Sequence, residues 1–130
     1  MPQIIRLDAG ARMSEAVVFN GIVWLAGQVA EDASADITSQ TRQVLAAIDA
    51  LLARAGSSKK HLLSAQIFLA DMADFPGMNA VWDGWIADAG KPARATVEAP
   101  LARPGWRVEI VVTAAQDAAV NDGGLVGGGN

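Results

Sequence analysis

The stretch "DITSQTRQVLAAIDALLARAG", residues 36–56, decides the fold class because helical periodicity runs through its whole length. Its apolar residues recur three and four positions apart and so share one helix face: Ile37, Val44, Leu45, Ile48, Leu51, Leu52 and Ala55. Asp36 stands where a capping side chain is expected, and Gly56 stands where helices commonly end. The pattern predicts an amphipathic helix between these two residues.

A second helix is predicted in "DFPGMNAVWDGWIADAG", residues 74–90. Asp74 is the expected cap, Pro76 is tolerated in a first turn, and Gly90 is the expected end. One face of this helix is apolar: Met78, Val81, Trp82, Trp85 and Ile86. Each predicted helix therefore has one face that must be buried against another part of the protein.

Strand patterns precede and separate these helices. "QIIRLD" (3–8) is a short apolar run, and "EAVVFNGIVWLAGQV" (15–29) has the pattern of a hairpin with a two-residue Asn20-Gly21 turn. Gly27 interrupts the second arm of this hairpin, which predicts a β-bulge or the close approach of another group. "HLLSAQIFLAD" (61–71) predicts a further strand between the two helices.

Two alternating segments close the pattern, "KPARATVEAP" (91–100) and "WRVEIVVTAA" (106–115). In the first, Arg94 and Thr96 share a face; in the second, Glu109 alternates with apolar residues. We expect the two segments to be adjoining strands, with Arg94 and Glu109 pointing the same way.

The predicted order is three strands, helix, strand, helix and two strands, which is an α+β fold with a mixed sheet. Two helices can be packed on only one face of such a sheet. Hydrophobic residues make up 52% of the chain, and no apolar run has the roughly 20 residues of a membrane-spanning helix. We therefore expect a second subunit to bury the other face. Residues 1–116 are predicted to be a single domain, and the glycine-rich 117–130 a flexible tail.

Composition narrows the function. The chain has no cysteine and a single histidine, His61, which disfavours thiolate chemistry, a metal site and a Ser-His-Asp arrangement. A net charge of -4 and scattered basic residues disfavour nucleic acid as a partner. The amino terminus lacks the pattern of a secretory signal, so a cytoplasmic protein is expected, and without a membrane-spanning apolar run no membrane partner is expected.

Arg94 and Glu109 are the residues most able to do chemistry. A guanidinium binds a carboxylate through two hydrogen bonds, and a carboxylate between core residues could orient or deprotonate a water. The alternatives are an Arg94 that is merely exposed on its strand, and a Glu109 paired with Arg107 or Arg94. The residue patterns leave these alternatives open.

Several separated segments resemble the RidA/YjgF family in the right order: "NGIVWLAGQV", "DITSQTRQVLAAIDALLARAGSSKKHLL", "IFLADMADFPGMNAVWDGW", "PARATVEA" and "VEIVVTAA". The resemblance covers about residues 12–115. The segments "RMSEAVV" and "MNAVWDGW" are most similar to the YoaB-type bacterial branch. The resemblance implies a chorismate-mutase-like fold, assembled as a homotrimer with clefts between subunits.

The resemblance also implies an activity and a site. Archetypal members hydrolyse enamine or imine intermediates such as 2-aminoacrylate to a 2-keto acid and ammonia, without a cofactor. The family's arginine falls on Arg94, which would bind the substrate carboxylate, and its glutamate falls on Glu109, which would position the attacking water. Gly27 and Asn79 match the glycine and asparagine that border the cleft.

The chain departs from the family pattern at two positions. Met13 stands where the archetype has a cleft tyrosine, with Arg12 and Glu15 beside it, and Thr96 replaces a cysteine two positions after the arginine. Arg12, Met13 and Thr96 are therefore added to the expected substrate-binding residues. The activities considered are an enamine/imine deaminase, a trimer that binds small carboxylates without turnover, and, less favoured, a ribonuclease or translation inhibitor.

Overall fold

A computed structural model of the protein describes residues 3–118, which form six strands and two α-helices. The elements in chain order are β1 (Ile5–Leu7), β2 (Ala16–Phe19), β3 (Ile22–Leu25), α1 (Ile37–Arg54), β4 (Leu62–Leu69), α2 (Phe75–Ile86), β5 (Ala93–Glu98) and β6 (Val108–Ala115). Short 3-10 helices at Lys59–His61 and Met72–Asp74 precede β4 and α2. The predicted order of strands and helices is confirmed.

The six strands form one mixed sheet in the order β1-β2-β3-β6-β4-β5. β4 and β5 are parallel, and every other pair is antiparallel. The expectation that β5 and β6 adjoin is wrong, because β4 lies between them and is hydrogen-bonded to both. The chain leaves β5 at the carboxyl end of β4, passes around that end, and returns as β6 on the other side of β4. β5 is thus an edge strand.

One face of the sheet is covered by both helices. The inward residues of β6 are almost fully buried, namely Val108, Ile110, Val112 and Ala114. They belong to the same apolar cluster as the inward faces of α1 and α2, whose largest buried members are Leu45, Ile48, Leu52, Met78 and Trp82. Burying side chains of this size contributes about 1.5–3 kcal/mol each, which makes this layer the core of the domain.

The other face of the sheet has no cover within residues 3–118. Phe19 and Trp24 on β2 and β3, and Val97 on β5, are 38%, 43% and 47% exposed. Thr113 on β6 and Phe68 on β4 lie on the same open face and are half-buried. A sheet face that exposes aromatic side chains on several strands is typical of a protein-protein contact.

The first helix and the first hairpin form as the sequence predicts. Asp36 Oδ1 accepts a hydrogen bond of 2.8 Å from the backbone N–H of Ser39, and Gly56, beyond the helix end, has φ of 80°. Asn20 and Gly21 both have positive φ, 54° and 82°, as a tight hairpin turn between right-twisted strands requires.

The second helix differs from its prediction at both ends. Asp74 occupies the capping position, but its carboxylate makes no capping bond and instead lies 3.2 Å from Nη1 of Arg107. The helix ends at Ile86 rather than near Gly90. Lysine ammonium groups satisfy its last carbonyls: Lys59 Nζ donates to Trp85 O (2.6 Å), and Lys91 Nζ donates to Ile86 O (3.1 Å).

Arg54, in the last turn of α1, forms two hydrogen bonds with Asp8 beyond β1, at 2.7 and 3.0 Å, which lower the pKa of this carboxyl.

Of the glycine-rich segment predicted as a tail, residues 119–130 lie outside the described residues, so the domain boundary stays a prediction. No helix within residues 3–118 is long and apolar enough to cross a membrane.

Candidate functional site

Arg94 lies on the exposed edge strand and points to the side of the sheet that carries the helices. In the β4–β5 register Arg94 is opposite Ala65, which is 2% exposed and belongs to the core. The Arg94 guanidinium carbon lies 5.3 Å from the ring centroid of Trp82 on α2, which places the cation over an aromatic face. An open hollow of about 320 Å³ adjoins Arg94, lined by residues 64–66 and 93–95.

Two polar residues, one on β5 with Arg94 and one on α2 with Trp82, have buried atoms without a hydrogen-bond partner within residues 3–118. Thr96 is opposite Ile67 in the register and so points to the same side as Arg94. Asn79 lies one helical turn before Trp82 on α2. The hydroxyl of Thr96 and the side-chain oxygen of Asn79 are both buried and accept or donate no hydrogen bond within the described chain. Unpaired buried polar atoms are unfavourable and uncommon, and often mark a functional site.

Glu109 lies on the opposite face. It is opposite Phe68 in the β4–β6 register, on the open side of the sheet, and it is half-buried. Gly27 packs against its carboxylate so closely that a Cβ at this position would overlap Oε2 of Glu109 and lie 2.9 Å from Cδ. The close approach predicted at Gly27 is therefore confirmed, and the approaching group is the Glu109 side chain.

A β-bulge after β3 makes this approach possible. The register of β3 with β6 pairs Trp24 with Thr113 and, continued, would place Gly27 opposite Ile110. Instead Gln28 pairs with Ile110, through two backbone hydrogen bonds of 2.9 and 3.1 Å. The hairpin arm thus contains one extra residue, and Gly27 lies at that irregularity.

Gln28 links this bulge to Glu15, a contact that the sequence does not predict. Gln28 Nε2 donates to Glu15 Oε1 at 3.2 Å and to the carbonyl of Ala26 at 3.0 Å. Before Glu15, Arg12 and Met13 are both exposed, and Met13 is 52% exposed. The resemblance draws attention to Arg12, Met13 and Glu15. It does not draw attention to Gln28, because a glutamine that follows a glycine has no sequence pattern of its own.

Five of the candidate residues of one chain therefore form two groups, and the exposed Arg12 and Met13 belong to neither. We call Arg94, Asn79 and Thr96 the arginine half-site, and Glu109 and Gly27 the glutamate half-site. The expectation that Arg94 and Glu109 point the same way is wrong. They lie two strands apart, at about 4.8 Å per strand spacing, and on opposite faces, because Ala65 and Phe68 of β4, to which they are registered, alternate in direction.

Within the described part of the chain, Arg94 and Glu109 are not paired with each other. Arg107 pairs with Asp74, and within residues 3–118 neither Glu109 nor Arg94 takes part in an ion pair. The alternative in which Glu109 is paired with Arg107 or Arg94 is therefore wrong for the single chain. A guanidinium of this kind can bind an anion, and the carboxylate can bind a water or a cationic group.

Comparison with known proteins agrees with this fold and these motifs. The family model described as Endoribonuclease L-PSP matches residues 3–116. A RutC family protein of Haemophilus ducreyi is 49% identical over 112 residues, covering 86% of this chain and 96% of the relative. The RutC family protein YoaB of Escherichia coli is 46% identical over 112 residues, covering 86% and 97%.

Solved structures give the same result. A crystal structure of a YjgF family member from Neisseria meningitidis superposes with a TM-score of 0.85 at 50% identity, covering 88% of this chain and 96% of that one. The six-stranded mixed sheet with two helices on one face defines a chorismate-mutase-like α+β protein. The chain belongs to the RidA/YjgF family.

Proposed function

We propose that the protein is a cofactor-independent enamine/imine deaminase that acts on small substrates with a carboxylate, such as 2-aminoacrylate. The products are a 2-keto acid and ammonia. The site is a cleft between subunits of a homotrimer, in which the arginine half-site of one copy faces the glutamate half-site of the next. A cytoplasmic location stays a prediction.

The observation that carries this proposal is the separation of the two half-sites. Each contains a charged group without an ion pair in the described chain, and one chain cannot bring them together because they lie on opposite faces of the sheet. The open face, with Phe19 and Trp24 exposed, offers the surface against which a second copy could pack. Cyclic packing of copies would bring each Arg94 towards the Glu109 of a neighbour.

Substrate binding follows from the arginine half-site. The Arg94 guanidinium would bind the substrate carboxylate through two parallel hydrogen bonds and keep its charge while it does so. The unpaired oxygen of Asn79 could accept a hydrogen bond from the substrate nitrogen, and the Thr96 hydroxyl could serve either oxygen or nitrogen. These contacts fix the imine carbon relative to the opposing half-site.

Hydrolysis then needs one placed water. The enamine becomes an iminium when its terminal carbon takes up a proton from solvent. Glu109 would accept a hydrogen bond from a water, take a proton from it as the water oxygen bonds to the iminium carbon, and then pass that proton to the nitrogen. The resulting carbinolamine breaks its carbon–nitrogen bond, ammonia leaves, and the oxygen becomes the keto group as its proton passes back to solvent. The imine carbon is already electrophilic, so positioning supplies most of the acceleration.

Replacement of Arg94 tests the proposal. We expect Arg94→Ala to abolish accelerated keto-acid release from 2-aminoacrylate generated in solution, because the carboxylate loses its partner. Light scattering should show the same oligomer as the unmodified protein, and Arg42→Ala, an exposed arginine of α1, is the matched control. An unchanged rate in Arg94→Ala would refute the mechanism.

Binding of small carboxylates without turnover is the second candidate, and Met13 favours it. Its side chain is half exposed and cannot donate a hydrogen bond to a reacting group. Stabilisation by pyruvate or 2-ketobutyrate in a thermal shift assay, with no turnover of any imine tested, would support this candidate. The ribonuclease activity named in the family model's description is disfavoured by the net charge of -4.

A further inference from the structure

In the part of the chain that the structure describes, the Arg94 guanidinium lies over an aromatic ring and takes part in no hydrogen bond or ion pair. Its central carbon is 5.3 Å from the centroid of Trp82. A long arginine side chain on an edge strand otherwise has many rotamers, and selecting one of them on ligand binding costs free energy. Whatever restricts this side chain before binding therefore increases the affinity of the site.

The ring of Trp82 is itself firmly placed. Trp82 is 5% exposed and packs against Trp85 with ring centroids 5.3 Å apart. The indole N–H of Trp85 donates to Asp49 Oδ2 on α1 at 3.0 Å. The ammonium of Lys59 also lies over the Trp85 ring, 5.4 Å from its centroid. The two rings thus connect Arg94 on the sheet edge to α1 and to the chain before β4.

We propose that Trp82 is a positioning residue that holds the Arg94 guanidinium in its carboxylate-binding orientation, through contact of the cation with the ring face. Trp85, fixed by its hydrogen bond to Asp49, packs against the Trp82 ring and supports its position. The expected effect of Trp82 on carboxylate affinity rests on the proposed function. The restriction of Arg94 itself does not depend on any ligand.

Substitutions at position 82 can distinguish an effect of the aromatic ring from an effect of side-chain size. A leucine or methionine at position 82 keeps an apolar side chain in the core but has no negative π-face, whereas a phenylalanine keeps the face with a smaller area. If the ring acts through Arg94, its removal should have no effect once Arg94 is gone. A purely structural role would weaken binding equally with and without Arg94.

The experiment combines side-chain relaxation with a double-mutant cycle. We expect the Nε–Hε group of Arg94, measured by NMR relaxation, to become more mobile in Trp82→Leu and to stay close to the original in Trp82→Phe. Pyruvate should bind about 3- to 10-fold more weakly to Trp82→Leu, as expected for a cation–π contact, and within about 2-fold of the original to Trp82→Phe. Trp82→Leu added to Arg94→Ala should cause no further loss. Ile86→Ala, a buried change one turn along the same helix face, is the control for general destabilisation.

The outcomes separate this inference from the proposed function. Unchanged Arg94 mobility in Trp82→Leu, or an equal loss of pyruvate affinity in the presence and absence of Arg94, would overturn the positioning role. If the unmodified protein binds neither pyruvate nor 2-ketobutyrate, the proposed binding of a substrate carboxylate by Arg94 is wrong. The relaxation measurement then decides the positioning role alone, with increased mobility supporting it. If Trp82→Leu does not fold, Trp82→Met replaces it as the ringless variant.

Discussion

At the scale of single residues, the site depends on the absence of a side chain as much as on the charges. Gly27 allows the Glu109 carboxylate to lie directly against the backbone at the bulge after β3. The half-buried carboxylate is thereby restricted in where its oxygens can point. Glycine is required there for space, since no positive φ is recorded at this residue.

Replacement of Gly27 by alanine should therefore inactivate the protein without unfolding it. The added methyl group would overlap Oε2 of Glu109 and force the carboxylate out of position. We expect deaminase activity to fall at least 10-fold, since a displacement of about 1 Å can cost 10²-fold in rate. Steady-state kinetics and circular dichroism are the measurements.

Gly84→Ala is the matched control for this change. Nothing lies within 4 Å of a Cβ at this helical position, so we expect unchanged activity and a gain of about 0.5–1 kcal/mol in stability. Full activity in Gly27→Ala would mean that the position of the Glu109 carboxylate does not matter to the reaction.

At the scale of elements, the loop from β5 to β6 positions the strand that carries Glu109, and hydrogen bonds from a buried glutamine hold this loop in place. Gln40 of α1 is fully buried; its Nε2 donates to the carbonyl of Gly105 at 2.8 Å, and its Oε1 accepts from the N–H of Arg107 at 2.9 Å. Nε2 also donates to Ala35 O at 3.0 Å, at the start of the helix. One side chain thus fixes the loop that carries the chain around the end of β4.

Gln40→Leu should destabilise the fold. The substitution leaves the backbone groups of Gly105 and Arg107 without their partners, and orphaned buried groups cost about 1–3 kcal/mol each. We expect the free energy of unfolding to fall by about 2–4 kcal/mol in urea denaturation. Arg42→Ala, on the exposed side of the same helix, should change it by no more than about 0.5 kcal/mol. Equal stabilities of the two variants would show that the loop is held by other contacts.

At the scale of the whole molecule, the proposed site requires more than one chain. Arg94 and Glu109 lie on opposite faces of one sheet, so a shared site can form only where different copies meet. The open face has the exposed aromatic residues that such a contact would bury. Assembly and catalysis are therefore expected to be inseparable.

Mixing two inactive variants tests this expectation. Arg94→Ala and Glu109→Gln should each be inactive, but trimers re-formed from an equal mixture of the two should regain activity. A site is intact where a subunit with Arg94 adjoins a subunit with Glu109 in the right order, which random mixing gives in about one quarter of sites. Activity near one quarter of the original is the expected result. No recovery, with subunit exchange shown by mass spectrometry, would refute a shared site between subunits.

The local elements were determined by the sequence itself. The periodicity of residues 36–56, the Asp36 cap and the Asn20-Gly21 turn each act within a few residues, and each is confirmed. The ends of α2 were not predictable in the same way. Asp74 pairs with Arg107, and Lys59 satisfies a carbonyl of α2, so both ends depend on residues distant in the chain.

Only the tertiary structure decided which side of the sheet each half-site occupies. Alternation states that Arg94 and Thr96 share a face, and that Glu109 differs in direction from Val108 and Ile110, but it does not relate one strand to another. That relation comes from β4, which takes its place between β5 and β6 and sets the register of both. The sequence determined the groups that could bind and react; strand order, a long-range property, decided that they lie on opposite faces.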